Sequence, residues 1–169
     1  TRMQPIVATE RPVVFVDTDE IFAPESQKER SKSKHNEREA DIVRDVARAL
    51  LDAGLEPRDL AVIAPYAAQV ELLRKHIDRE GVEIKTVDGF QGREKEVVLI
   101  SLTRSNERGD VGFLEDVRRF NVALTRARRK VIVVGDSSTV AEVDALEHFI
   151  DYTDGLGAMV VFEADDEAA

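Results

Sequence analysis

Cysteine and tryptophan are absent from the 169 residues. The lack of cysteine removes disulfide frameworks, thiolate metal sites and cysteine nucleophiles together, and it agrees with a reducing, cytoplasmic setting. The three histidines, at 35, 76 and 148, are too scattered to build a metal cage, so no metal ligand is assigned. No apolar run approaches the roughly 20 residues that span a bilayer, and residues 1–15 lack a basic start followed by an apolar core, so neither a membrane partner nor export is expected. Gly-x-x-x-x-Gly-Lys-Ser/Thr is also missing. The chain therefore has no cradle for β- and γ-phosphates and no hydroxyl for magnesium, and it is not a complete P-loop ATPase. Lysine is scarce, with seven against seventeen arginines.

What is present fits one globular domain. Hydrophobic residues make up 43% and charged residues 34% of the chain, enough for a sizeable core under a soluble surface. Acid exceeds base, 34 to 24, for a net charge of −10. Abundant Asp and Glu with little Lys is the surface expected of a halophilic, archaeal cytoplasm, where salt screens self-repulsion. The acid is spread while the base is focused: five arginines lie between Arg118 and Arg129.

Short apolar runs at 12–17, 60–64, 84–87, 97–103, 131–135 and 159–162 predict buried strands. Helices are expected between them. Asn36 with Glu39 forms a capping pair, and Val43, Val46, Ala47, Leu50 and Leu51 then fall at helical spacing before Gly54. Further helices are expected at 65–80, 115–129 and 139–152. The polar stretch 18–35 has little to bury and predicts a mobile loop, and 163–169 an acidic tail. Buried strands alternating with helices predict an α/β domain over 1–162, its mostly parallel sheet covered by helices on both faces.

In such a sheet ligands collect at the carboxyl ends of strands. Those positions read Ala64-Pro65-Tyr66, then Thr86-Val87-Asp88-Gly89-Phe90-Gln91-Gly92-Arg93-Glu94, Thr103-Arg104-Ser105-Asn106 and Gly135-Asp136. Gly89 and Gly92 suit a turn whose backbone approaches a phosphate, with Gln91, Arg93 and Glu94 supplying an amide, a cation and a carboxylate. A tight turn with solvated Arg and Glu fits the same residues. From 117 to 130, Phe120, Ala123, Leu124 and Ala127 form a helical stripe, with Arg119 and Arg126 on one edge and Arg118, Asn121, Thr125 and Arg129 on the other. Such a cluster is either an ordinary solvated surface or the mark of a nearby polyanion, a triphosphate or a nucleic-acid backbone.

The run from Thr86 through Lys95, the run Arg118-Arg119-Phe120-Asn121-Val122-Ala123-Leu124-Thr125-Arg126-Ala127-Arg128 and Val134-Gly135-Asp136 together resemble the second motor domain of Upf-like superfamily 1B helicases. Thr103-Arg104-Ser105-Asn106, Val111-Gly112-Phe113-Leu114 and Asp136-Ser137-Ser138-Thr139-Val140 resemble the immunoglobulin-mu-binding-protein type within that family. The resemblance covers about 12–160. It implies a RecA-like P-loop NTPase fold without its own P-loop, with ATP and Mg2+ bound mainly by an N-terminal RecA-like domain of the same full-length chain. It implies Arg126 as an arginine finger, Glu94 as a ribose contact, Gln91 and Gly92 in a loop beside the γ-phosphate, and Arg119 in the finger's motif. Tyr66, Gln69 and Thr86 match positions near the backbone of single-stranded DNA or RNA. The fragment alone is expected to be inactive. A non-catalytic regulatory or nucleic-acid-binding module derived from a helicase is the alternative, and a fused nuclease half would lie outside these residues.

Overall fold

A computed structural model describes residues 3–21, 23–27, 33–90, 93–106, 117–141 and 143–161. Unbroken Val, Ile and Leu runs leave no polar face to a strand, so each such strand must be covered on both sides. Four strands built on such runs and two edge strands form one parallel sheet: β1 (Val13–Asp17), β4 (Leu60–Ala64), β6 (Lys95–Ser101) and β7 (Ala127–Gly135), with β5 (Glu83–Thr86) and β8 (Met159–Val161) at the edges, in the order β5-β4-β6-β7-β1-β8. Every residue of β4 is buried. Two short strands, β2 (Ser26–Gln27) and β3 (Lys34–His35), pair antiparallel outside this sheet.

Each face of the sheet has its own core. Helices α1 (Met3–Val7), α2 (Glu37–Asp52) and α3 (Ala67–Ile77) place Ile6, Val43, Val46, Leu50 and Leu73 against Val14, Val62, Leu99 and Ile132. On the opposite face, α4 (Val117–Leu124) and α6 (Asp144–Gly155) place Phe120, Ala123, Leu146 and Ile150 against Phe15, Ile63, Ile100 and Val133, behind the short α5 (Ser137–Val140). Phe149 meets Phe120 edge-on with centroids 5.5 Å apart. The α/β expectation holds, with helices on both faces.

Four local expectations need correction. The helix expected at 115–129 stops at Leu124, and Ala127, Arg128 and Arg129 begin β7 instead. The Thr125 hydroxyl and the Arg126 Nε both donate to the Val122 carbonyl, closing the helix, while Ala127 pairs with Lys95 on β6. Arg126 therefore occupies a turn and shares no helical edge with Arg119. The helix expected at 139–152 is two, α5 and α6, because the Asp136 carboxylate caps the first and Val143 starts the second. The capping pair is one-sided: Asn36 Oδ1 accepts from the Glu39 N–H at 3.0 Å, but the Asn36 N–H donates to Gln69 Oε1, not to Glu39. Finally, the stretch 18–35 does bury side chains, since Thr18, Ile21 and Ala23 are inside and Asp19–Ile21 forms a 3-10 turn.

The connection from β5 to β6 positions the site. Because β4 lies between these parallel strands, the chain must return across the face of β4 from one end of the sheet to the other. Asp88–Phe90 makes a 3-10 turn on this path, and fully buried Phe90 anchors it in the core shared with Ala61 and Ile63.

Candidate nucleotide and nucleic-acid surfaces

Register sets the first surface. Lys95 and Ala127 are partners on β6 and β7, and the Lys95 N–H donates to the Arg126 carbonyl at 2.9 Å. Glu94 and Arg126, one residue earlier on each strand, consequently sit beside each other at the amino ends of adjacent strands. The half-buried Arg126 sends Nη1 to the Arg93 carbonyl at 3.2 Å and Nη2 to Thr125 Oγ1 at 3.2 Å. Exposed Glu94 faces Arg128 at 3.4 Å. Arg119, on α4, faces Asp88 at 3.6 Å. The crossover is thus tied to an arginine at each end of α4. Arg93 stacks 4.9 Å from the Phe90 ring centroid, donates to the Gly89 carbonyl and pairs with Glu83 at 2.8 Å. Exposed pairs of this kind contribute at most about 1 kcal/mol each, so an arriving polyanion can redirect the guanidiniums at small cost. Gln91 and Gly92, expected beside a γ-phosphate, lie outside the described residues.

The second surface is at the opposite end of the sheet. Thr86, half-buried, closes β5, and Tyr66 lies two residues beyond β4 in extended conformation at the start of α3. β6 is seven residues long, which puts Tyr66 roughly 20 Å from Glu94 and Arg126, whereas Thr86 closes the four-residue β5 and lies nearer to them. The carboxyl-end expectation therefore covers Tyr66 and Thr86 but not Glu94 and Arg126, which stand at amino ends. Gln69 is fully buried, and its amide is spent on the Asn36 backbone (2.8 and 3.2 Å) and on Ser101 Oγ (3.1 Å). In this conformation it supports the surface from behind and presents no group to a ligand.

Behind Tyr66 and Thr86 lies a buried polar network that the residue types alone did not disclose. Arg104 grips Glu25 through Nε (2.6 Å) and Nη2 (3.2 Å), and its Nη1 donates to the Tyr66 hydroxyl at 3.0 Å. Burial opposes the Arg104 charge, but Glu25 and the Tyr66 hydroxyl outweigh it and hold the guanidinium above its ordinary pKa. Glu39 is wholly buried; its Oε1 accepts from Ser101 Oγ at 2.7 Å and from the Thr103 N–H at 2.8 Å. Loss of solvent pushes its pKa up to about 7 against those two hydrogen bonds. Asp136 is opposite in sign: burial disfavours its charge, but Ser105, Ser138 and Thr139 donate to it and keep its pKa low. The signal available in the sequence was the polar run 103–106 directly after an apolar strand.

Among the described residues no group of His, Cys, Asp or Glu could hold a metal, and no helix is long and apolar enough to cross a membrane. The AAA_12 family, described as an AAA domain, matches residues 2–138. Mouse DNA-binding protein SMUBP-2 is 49% identical over 146 residues, 85% of this chain and 15% of that protein. DNA polymerase alpha-associated DNA helicase A of Schizosaccharomyces pombe is 45% identical over 139 residues, 78% of this chain and 21% of that protein. Mouse DNA replication ATP-dependent helicase/nuclease DNA2 is 38% identical over 151 residues, covering 87% and 14% respectively. The chain thus spans between 14% and 21% of the length of these relatives. Its parallel RecA-like sheet, its match over 2–138 and relatives that include two named helicases converge on one assignment: the chain belongs to the AAA_12 family, as a second motor domain of the Upf-like superfamily 1B helicases.

Proposed function

We propose that this domain is the half of an ATP-driven helicase that completes the nucleotide site of a preceding RecA-like domain and grips a single strand of nucleic acid. The observation that carries the reading is the placement of Glu94 and Arg126 side by side at the amino ends of β6 and β7, with Arg119 on the crossover that joins β5 to β6 and Tyr66 and Thr86 at carboxyl ends. DNA is the first strand to test, because the names of all three relatives carry DNA.

ATP, when bound, supplies the γ-phosphoryl group whose transfer to water drives the cycle. Arg126 exchanges the Arg93 carbonyl and Thr125 hydroxyl for phosphoryl oxygens, and its planar, permanently charged fork follows charge as it spreads over them. Glu94 trades Arg128 for ribose hydroxyls, and Arg119 adds positive potential from α4. Magnesium accompanying ATP would be held by the preceding domain, because this sequence has no Gly-x-x-x-x-Gly-Lys-Ser/Thr to offer it a hydroxyl. Tyr66 and Thr86 meet the strand.

The test is steady-state ATP hydrolysis by the complete protein carrying Arg126→Ala or Arg126→Lys. An arginine finger is worth about 10³ to 10⁵ in rate, so both variants should lose most turnover while remaining folded, with at most a modest drop in melting temperature from the lost hydrogen bonds. Turnover within a few-fold of the parent removes Arg126 from the site.

A further inference from the structure

The buried Arg104–Glu25 pair has no part in the nucleotide surface, and it is an unusual investment for stability alone. Replacing such a pair by apolar residues is often neutral or stabilising, so burial of two charges calls for another reason. The geometry around it supplies one. Arg104 spends one edge of its fork on Glu25 and the next nitrogen on the Tyr66 hydroxyl, with its guanidinium carbon 5.9 Å from the Tyr66 ring centroid. Glu25 is in turn fixed by the Ser105 N–H at 3.0 Å and the Asn106 amide at 3.2 Å, while its own N–H donates to the Ser105 carbonyl. The residue before Arg104 is equally constrained. Thr103 has φ +75°, a conformation L side chains rarely adopt, and it is held there by Glu39 at its N–H and by the Asn36 amide at its carbonyl. The same Asn36 amide binds the Ala23 carbonyl, fixing the strand-to-helix segment that delivers Glu25.

Three separate segments thus converge on one half-buried tyrosine at the nucleic-acid end of the sheet. We infer that Arg104 and Glu25 are positioning residues, an internally neutralised pair that sets the Tyr66 side chain for contact with a single strand. Arg104 is not itself a phosphate ligand: its charge is matched by Glu25, and its side chain is only 5% exposed. The segment 23–27 is on this account a working part of the strand surface, through Glu25. The inference rests on Tyr66 being a strand contact, and the experiment separates the two.

Binding of a fluorescein-labelled oligothymidine to the complete protein is measured by anisotropy over a series of KCl concentrations. The variants are Tyr66→Ala, Arg104→Lys, and Glu25→Gln combined with Arg104→Gln, which removes the pair without stranding a buried charge. Loss or misplacement of one strand contact should weaken binding by each variant roughly tenfold. Two readouts distinguish positioning from direct contact. The slope of log affinity against log salt should stay at the parental value in the double-Gln variant, whereas loss of a phosphate contact lowers it by about 1. Adding Arg104→Lys to Tyr66→Ala should cost nothing further, since Arg104 acts through Tyr66. A reduced slope, full additivity, or parental affinity for Arg104→Lys overturns the inference while Tyr66→Ala remains weak. Parental affinity for Tyr66→Ala overturns the contact reading and the inference with it. If the double-Gln variant does not fold, Arg104→Lys alone and with Tyr66→Ala decides.

Discussion

Glu39→Gln should be nearly neutral for stability at mildly acidic pH and stabilising at mildly alkaline pH. Glu39 is wholly enclosed, and its pKa lies at about 7 in place of 4.5 because burial disfavours the carboxylate more than Ser101 and Thr103 favour it. An acid whose pKa rises on folding favours the native state while protonated. Its contribution is complete below pH about 4.5 and is lost as pH rises through about 7. A pKa difference of about 2.5 corresponds to about 3 kcal/mol, a large part of the roughly 5–15 kcal/mol that holds a domain together. Glutamine keeps the oxygen that accepts from Ser101 and Thr103 but cannot ionise. Its NH2 falls where Glu39 Oε2 has no hydrogen-bond partner, costing on the order of 1 kcal/mol at every pH. By pH 5 about 1 kcal/mol of the Glu39 contribution is already gone, so the variant should be close to the parent in stability there and about 2 kcal/mol more stable at pH 8.5. Urea denaturation of the purified chain from pH 5 to 8.5 at constant ionic strength measures both curves. Asp17, whose pKa burial also raises, titrates in both proteins and largely cancels in the difference. A parent-minus-variant difference that stays flat across this range would refute the reasoning.

The chain alone should hydrolyse ATP no faster than background, because it has no phosphate loop; phosphate release stimulated by single-stranded DNA would contradict this. Gly135→Ala should destabilise by about 1–3 kcal/mol, since a Cβ there would lie 2.7 Å from Leu102 Cδ1 and 3.0 Å from its Cβ; a melting temperature unchanged within a degree would show that Leu102 yields freely. With a net charge of −10, the chain should resist urea better in 2 M than in 0.1 M KCl, and no rise in the midpoint would remove the composition-based expectation of a high-salt surface.

The sheet was legible because strands buried on both faces cannot alternate, and runs such as Leu60–Ala64 announce themselves. The start of β7 was not. Ala127 completes a stripe with Phe120, Ala123 and Leu124 at helical spacing, and Arg128 and Arg129 carry no apolar alternation that would argue for a strand. The deciding contacts are to Lys95 and Val97, some thirty residues away on β6. Distance in sequence also hid Glu39 and Gln69. Read locally, Glu39 is a cap partner and Gln69 a polar helix residue, yet their partners Ser101 and Thr103 lie 62 and 64 residues from Glu39 and Ser101 lies 32 from Gln69. The motif positions themselves were readable one by one. That they divide between opposite ends of the sheet was not, because only the crossover path of 87–94 reveals it.

Under the proposed function, that division makes the domain a lever. β6 and β7 pair from Lys95 to Ser101 with one irregularity between Lys95 and Val97, with Arg126 just before one end and Ser105 joined to Asp136 just after the other. If this pair moves as one body, a push at the guanidinium end reappears at the tyrosine end as rotation. Tilting a beam of roughly 20 Å by about 10° moves its far end by roughly 3.5 Å. A pivot of this modest size, with no internal rearrangement at all, would carry the strand-contacting end through about the per-strand rise of duplex DNA, about 3.4 Å.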